Sequence, residues 1–153
     1  MDLIIRKYGG TSVGSIEKIK EIAQKTKNDI NNKKKILIVV SAMGNSTDDL
    51  LQKANQISKS PNQRELDLLM SSGEIISSTL LSMALQEIGI QSKSLTGFQA
   101  GIDTNSKYGQ AEIQSINNDR IIKEMNDGKT LVIAGFQGFN ENLEITTLGR
   151  GGS

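Results

Sequence analysis

The sequence predicts an α/β fold, a three-layer α/β/α sandwich around a mostly parallel central sheet. Short apolar strands alternate with amphipathic helical patterns, and four of the strands run directly into a loop that contains Gly9, Gly44, Gly97 or Gly135. Alternation of strands and helices favours a parallel sheet with helices on both faces. Ligands of such sheets bind outside the carboxyl ends of the strands. The four glycine loops are therefore predicted to face one crevice.

The first segment predicts a strand, a glycine turn and a helix. An apolar run, Leu3-Ile4-Ile5, leads through Lys7 to Gly9-Gly10, and isoleucines at helical spacing follow from Ile16 until the pattern fades near Asn28. Two adjacent glycines let backbone N–H groups approach an anion, and the helix directs its positive end to the same place. This arrangement indicates a phosphate site with Lys7 as its charge. The alternative is an ordinary tight turn with a solvated lysine, because the Walker spacing is absent.

The next segment predicts a second strand and a second helix. Residues 36–40 are all β-branched or leucine, which is typical of a parallel strand buried on both faces. Ser46-x-x-Asp49 has the spacing of a capping box, and apolar residues continue a helical face as far as Ile57. The only proline, Pro61, then ends this helix.

A long helical region extends from Arg64 to Ile88. Gly73 is predicted to divide it into two helices, and Gly89 is predicted to end the second. Residues 71–74 have the spacing of a second capping box, in which Glu74 would reach back to the backbone N–H of Ser71.

The last third of the chain predicts two more strands of the main sheet and two hairpins. Strands are expected at 92–96 and 130–134, with a short helix at 119–125 between them. The polar residues 102–116 suggest a hairpin excursion, and residues 140–142 suggest a turn that leads into a strand at 145–148.

Composition excludes several kinds of chemistry. The 153 residues suffice for one compact domain or part of a larger one, and a net charge of +1 gives no indication of nucleic acid or a membrane surface. The absence of Cys and His excludes thiolate nucleophiles, imidazole bases and the usual zinc sites. Phosphoryl transfer needs little more than positioning and charge stabilisation, so it remains among the reactions that this composition allows. No segment is expected to span a bilayer and no signal peptide precedes the first strand, which favours the cytoplasm.

Six segments, taken in order through the chain, resemble the aspartate kinases of the amino-acid-kinase family. They are residues 7–14 (KYGGTSVG), 40–44 (VSAMG) with 47–48 (TD), 64–67 (RELD) with 72–74 (SGE), 96–101 (TGFQAG), 134–138 (AGFQG) and 146–153 (TTLGRGGS). Tyr8 stands where many members carry Phe. Members continue from this Gly-Gly-Ser into an Asp, the nucleoside-binding half of the kinase domain and regulatory domains. The resemblance therefore implies a truncated fold: residues 1–153 would be the N-terminal, amino-acid-binding portion, inactive alone.

The resemblance implies transfer of the γ-phosphoryl group of ATP to the β-carboxylate of L-aspartate, giving 4-phospho-L-aspartate. This is the first step towards lysine, threonine and methionine, and the full-length protein would be a homo-oligomer. The alternatives are another enzyme of the family, acting on acetylglutamate, glutamate or a nucleotide, or a non-catalytic binding fragment. The segments around Gly73-Glu74 and 150–153 favour aspartate.

The resemblance also implies roles for individual residues. The catalytic residue would be Lys7, and the ATP site would comprise Lys7, Tyr8, Gly9, Gly10 and Ser41. The aspartate site would comprise Thr47, Glu74, Arg150, Gly151, Gly152 and Ser153. Arg150 would bind the α-carboxylate, since a guanidinium grips a carboxylate through two hydrogen bonds, and Glu74 would bind the ammonium group. Mg²⁺ is an expected cofactor, but no residue is assigned as its ligand because phosphates and water largely hold it in such sites.

Overall fold

The computed structural model describes residues 2–31, 34–149 and 152–153. Strands and helices alternate along most of the chain. In order they are β1 (Leu3–Tyr8), α1 (Ile16–Asn31), β2 (Lys35–Val40), α2 (Ser46–Ile57), α3 (Gln63–Glu87), β3 (Ser92–Leu95), β4 (Ile102–Thr104), β5 (Ile113–Ile116), α4 (Asp119–Asn126), β6 (Thr130–Ala134), β7 (Gln137–Phe139) and β8 (Ile145–Thr147).

The main sheet is parallel, as the sequence predicts. Its strand order is β1-β2-β6-β3, and all three neighbouring pairs run parallel. Tyr8 lies opposite Val40, and Val40 lies opposite Ala134. The carboxyl ends of these strands therefore meet at one edge of the sheet, where ligands of this fold class bind.

Helices cover both faces of this sheet, which confirms the three-layer prediction. On one face, α1 and α3 pack against residues such as Ile36, Ile38 and Val132. On the other face, Met125 of α4 packs against Leu37 and its neighbours. Consecutive residues of β2 are thus buried on opposite faces, and the strand consequently shows a continuous apolar run.

A second, smaller sheet has the strand order β5-β4-β7-β8. β4 pairs with β5, and β7 with β8, in antiparallel hairpins, while β4 and β7 are parallel. Both predicted hairpins are confirmed. β8 packs against α3, so this sheet places the C-terminal residues beside the edge of the main sheet.

The predicted break at Gly73 is wrong, because α3 is one continuous helix of 25 residues. A Cβ atom on Gly73 would lie 2.8 Å from the Cβ of Ala42, so glycine is required for close packing of α3 on the loop after β2. The second capping box is also wrong. The Ser71 hydroxyl donates to the Leu68 carbonyl at 2.7 Å, and Glu74 accepts the backbone N–H of Ala42 instead.

Two further predictions concern the start of α2 and the end of α3. The capping box at Ser46 is wrong: Asn45 is the N-cap and its side chain makes no capping hydrogen bond. The Ser46 hydroxyl donates to the Met43 carbonyl instead. Gly89 ends α3 as predicted, with φ of +86° and the N–H of Ile90 donating to Leu85.

Among the described residues, α3 alone has the length and composition of a membrane-spanning helix. This corrects the expectation from the sequence that no segment is long and apolar enough. Its most apolar window has a mean hydropathy of 1.4, and 44% of that window is buried inside the domain. The helix packs against α1, β3 and β6 and buries the carboxylates of Asp67 and Glu74. Those contacts are typical of the core helix of a soluble domain.

Candidate active site

A cavity of about 400 Å³ lies at the carboxyl edge of the main sheet. Its wall includes the loops that follow β1, β2 and β6, residues of α2, α3 and β8, Gly109 in the loop between β4 and β5, and Leu148 and Ser153 after β8. The loop that contains Gly97 lies at the same edge of the sheet but outside the cavity. There the N–H of Gly97 donates to the Gln137 side chain at 3.3 Å. Three of the four glycine loops therefore meet at this cavity, as predicted.

The loops after β1 and β2 are packed directly on one another. The N–H of Gly44 donates to the Gly10 carbonyl at 3.0 Å, and the N–H of Ser41 donates to Tyr8 at 2.9 Å. A Cβ atom on Gly10 would lie 2.9 Å from the Ala42 carbonyl oxygen. Only glycine allows this approach, which brings the turn after β1 to the cavity wall.

Glu74 places a buried carboxylate in this cavity. The residue is 3% exposed, and its Oε1 accepts the N–H of Ala42 at 3.3 Å. Oε2 has no hydrogen-bond partner in the described part of the chain. Burial raises the pKa of Glu74 to about 7, although hydrogen bonds from backbone N–H groups oppose the shift. A buried carboxylate with one unpaired oxygen is suited to a cationic group of a ligand.

Asp67 is a second buried carboxylate in the cavity wall, and the sequence reading gave it no role. It is 1% exposed and accepts four hydrogen bonds, from Gln63, Gly109 and Thr147. Asp67 precedes Glu74 by seven residues and so lies on the same face of the helix. Two acidic residues at this spacing on one face of a predicted helix were the signal in the sequence.

Phe136 is another wall residue that the sequence reading missed. Its φ of +65° is unusual for a residue with a side chain. The carbonyl of Phe136 accepts the N–H of Leu148 at 2.9 Å. This bond joins the loop after β6 to the end of β8, and both segments line the cavity.

The structure brings together five of the residues predicted from the sequence. Those that line the cavity are Gly10, Ser41, Thr47, Glu74 and Ser153. Four others lie outside the cavity wall: Lys7, Tyr8, Gly9 and Gly152. Arg150 and Gly151 lie outside the described residues.

Lys7 and Tyr8 point to opposite faces of β1. Lys7 is exposed, whereas the Tyr8 ring packs against the core beneath α1. A direct contact of the Tyr8 side chain with a ligand in the cavity is therefore not supported. Its main-chain carbonyl instead accepts the N–H of Ser41 and fixes the neighbouring loop.

Comparison with known proteins gives a consistent result. Residues 2–153 match the amino acid kinase family. Over its whole length the chain is 50% identical to an aspartokinase from Bacillus sp. (strain MGA3) and 48% identical to aspartokinase 2 of Bacillus subtilis (strain 168). It spans 37% and 38% of those two proteins.

Solved structures with the same fold include aspartate kinases. The aspartate kinase from Synechocystis superposes with a TM-score of 0.83 at 46% identity, over 100% of this chain and 25% of that one. Escherichia coli aspartokinase III, in complex with aspartate and ADP, superposes with a TM-score of 0.81 over 99% of this chain and 44% of that one. At 21% identity, this second similarity concerns the fold alone.

Proposed function

The chain belongs to the amino acid kinase family, and from that membership we propose that it forms the amino-acid-binding portion of an aspartate kinase. Such an enzyme transfers the γ-phosphoryl group of ATP to the β-carboxylate of L-aspartate and yields 4-phospho-L-aspartate and ADP. Aspartokinases that are 48–50% identical over the whole chain support this proposal. Because the chain spans about 37% of their length, the activity is proposed for the longer protein.

Glu74 is the observation that carries the proposal. Glu74 lines a cavity at the edge of the sheet where ligands of this fold class bind, and one of its carboxylate oxygens is unpaired among the described residues. The ammonium group of aspartate would satisfy that oxygen and remove the cost of an unpaired buried carboxylate. The substrate would thereby be oriented by its amino end, with its β-carboxylate left free to react.

The hydroxyl groups of Thr47 and Ser153 would bind the substrate carboxylates from the opposite walls. Both residues line the cavity with Glu74. Arg150 is proposed to bind the α-carboxylate, a role that rests on the sequence resemblance. The cavity would then provide the unpaired carboxylate oxygen of Glu74 and several hydrogen-bond-donating groups, which matches an amino acid with two carboxylates.

The phosphoryl group would be bound at the turn after β1. Lys7 is the penultimate residue of the strand that leads into this turn, and the backbone N–H groups of Gly9 and Gly10 would bind the phosphate oxygens. Ser41, on the adjacent loop, would complete this side of the site. These groups would stabilise the negative charge on the transferring group, because two anions must approach one another in the reaction.

Mg²⁺ would supply further charge neutralisation when it is bound with ATP. Among the described residues, no three side chains of Asp, Glu, His or Cys come together as a metal site. Such a chain fits an ion held mainly by phosphate oxygens and water. We therefore propose ATP and Mg²⁺ as the cofactors and assign no metal ligand to the described residues.

The test is trapping of the acyl phosphate product by hydroxylamine, with the full-length protein and Mg-ATP. Product is expected with L-aspartate, and not with N-acetyl-L-glutamate or L-glutamate at the same concentration. Succinate, which has both carboxylates but no ammonium group, should be a poor substrate because it leaves Glu74 unpaired. Equal turnover of succinate and aspartate would overturn the role of Glu74, and turnover of N-acetylglutamate alone would overturn the choice of substrate.

We also propose a cytoplasmic location and self-association of the full-length protein. The core packing of α3 supports a soluble protein. Bacterial aspartokinases are among the similar proteins, and this also supports the location.

A further inference from the structure

We propose that Asp67 is a positioning residue for the end of β8, which leads into the proposed substrate-binding segment that ends at Ser153. The inference rests on the proposed aspartate kinase function, because that function gives the segment its task. Asp67 would act through the backbone of β8, since protein groups already occupy its carboxylate oxygens. It would hold the end of this strand at the cavity.

The hydrogen bonds of Asp67 join three parts of the chain. Its Oδ2 accepts the N–H of Thr147 at 2.8 Å and the N–H of Gly109 at 3.0 Å. Its Oδ1 accepts the Thr147 hydroxyl at 3.0 Å and the Gln63 side-chain amide at 3.0 Å. A carboxylate that is 1% exposed is thus satisfied by donors from α3, from the loop between β4 and β5, and from β8. Charge-assisted hydrogen bonds of this kind are stronger than those between neutral groups.

Asp67 takes the place of a neighbouring strand at the edge of the second sheet. β8 is the last strand of that sheet, and β7 pairs with only one of its sides. The N–H of Leu148 points towards the inner side and donates to Phe136, whereas the N–H of Thr147 points outwards and donates to Asp67. The Thr147 carbonyl also points outwards, where it accepts the N–H of Ala111. Both sides of the strand end are therefore fixed.

The fixed strand end leads directly into the proposed substrate segment. Gly149 follows Leu148, and its carbonyl accepts the N–H of Gly152 at 2.9 Å. Ser153 then lies in the cavity wall. Loss of the Asp67 bonds would leave the Ala111 hydrogen bond as the one described backbone bond on the outer side of Thr147, two residues before Gly149. A small displacement there would move the groups that bind the substrate.

The experiment compares three variants of the full-length protein: Asp67→Ala, Asp67→Asn and Glu124→Ala. Glu124 is a matched control, because it is another buried carboxylate, bonded to Lys93 and Lys129 at the far end of the main sheet. Asp67→Ala should raise the KM for aspartate about tenfold or more, since two charged hydrogen bonds to the backbone are lost. The KM for ATP should change less than about twofold, because the proposed phosphate site at the turn after β1 does not include β8.

Asp67→Asn should largely restore the KM for aspartate. The amide oxygen would accept the two backbone N–H groups, and the amide nitrogen would face the Thr147 hydroxyl and the reorientable Gln63 amide, both of which can accept. Glu124→Ala should leave the KM for aspartate unchanged even where it lowers stability. An unchanged KM in Asp67→Ala, or an equal rise in Glu124→Ala, would overturn the proposal. A purely structural role of Asp67 would lower the active fraction without this change in KM.

A second readout does not depend on the substrate. In Asp67→Ala, hydrogen exchange at Thr147 and Leu148 should accelerate about tenfold or more relative to the wild type, and in Glu124→Ala it should not. Unchanged exchange at these residues would overturn the positioning role. If the wild-type protein fails to phosphorylate aspartate while exchange still accelerates, the proposed function fails and the structural link between Asp67 and β8 stands.

Discussion

Glu74, in the middle of α3, accepts the backbone N–H of Ala42 at 3.3 Å and so joins the helix to the loop after β2. The bond engages Oε1, whereas Oε2 is buried without a partner among the described residues. Burial raises the pKa of this carboxyl to about 7. The protonation state of Glu74 should therefore affect both the proposed substrate affinity and the stability of the domain, and both should depend on pH.

The KM for aspartate should depend on pH through Glu74. Above a pH of about 7 the carboxylate is ionised and can pair with the ammonium group, and below it the group is neutral. The KM should therefore rise as pH falls through about 7. Glu74→Gln should raise the KM about tenfold or more at pH 8, where a charged hydrogen bond is lost, and should remove this pH dependence.

Steady-state kinetics between pH 6 and 9 measure this dependence, and the KM for ATP serves as an internal reference. A Glu74→Gln variant with the wild-type pH profile would contradict the assignment.

The same carboxyl should lower the stability of the substrate-free domain at high pH. Its folded pKa of about 7 is above the ordinary value of 4.5, so the folded state binds more protons between these values. The free energy of unfolding should fall as pH rises through this window, by roughly 3 kcal/mol. Glu74→Gln does not titrate, and at pH 8 it should consequently be more stable than the wild type. Unfolding midpoints at pH 5 and pH 8 measure the difference.

Glu124 provides a control of opposite sign for the stability experiment. Lys129 and Lys93 hold the pKa of Glu124 at about 2, below its ordinary value. Its contribution to stability is present above the ordinary pKa and is lost as pH falls through the lowered one. Glu124→Gln should therefore destabilise the protein at pH 8, where Glu74→Gln stabilises it. A loss of stability in both variants would contradict the reading of Glu74.

The contact between residues 42 and 73 should have room for a methyl group on one of the two residues but not on both. Gly73→Ala would place a Cβ 2.8 Å from that of Ala42 and push α3 away from the loop. We expect a loss of about 1–3 kcal/mol in the free energy of unfolding. The double variant Ala42→Gly/Gly73→Ala moves the methyl group to the other side and should recover much of that loss. A double-mutant cycle of unfolding midpoints measures the coupling, and strict additivity would show that the contact is not the cause.

The parallel sheet and the edge that holds the site were predictable from the sequence, because both depend on local patterns. The run from Ile36 to Val40 indicates a strand buried on both faces, and each glycine after a strand indicates a turn. Gly73 shows where local reasoning fails. A glycine within a helical pattern suggests a break, but here it is needed by a residue 31 positions earlier, and only the tertiary structure contains that contact.

The candidate site likewise combines features that the sequence predicts with features that only the tertiary structure contains. The resemblance named Glu74, but the wrong capping box at Ser71 concealed its burial, which raises its pKa. Asp67 lies within one of the matching segments, but its role depends on donors at Gly109 and Thr147, which lie 42 and 80 residues away in the sequence. Phe136 was missed because a backbone with positive φ leaves no signal when the residue is not glycine.

Lys7 should act on the chemical step, and its role remains a prediction. It lies at the end of β1, two residues before the glycine turn, and among the described residues its amine has no ion-pair partner. Lys7→Ala should lower kcat by about 10²-fold or more with little change in the KM for aspartate, since charge develops on the phosphoryl group only during transfer. Lys18→Ala is the matched control, because that lysine donates to the Thr11 carbonyl in the same turn at 3.0 Å. An unchanged kcat in Lys7→Ala, or an equal loss in Lys18→Ala, would make Lys7 an ordinary surface lysine.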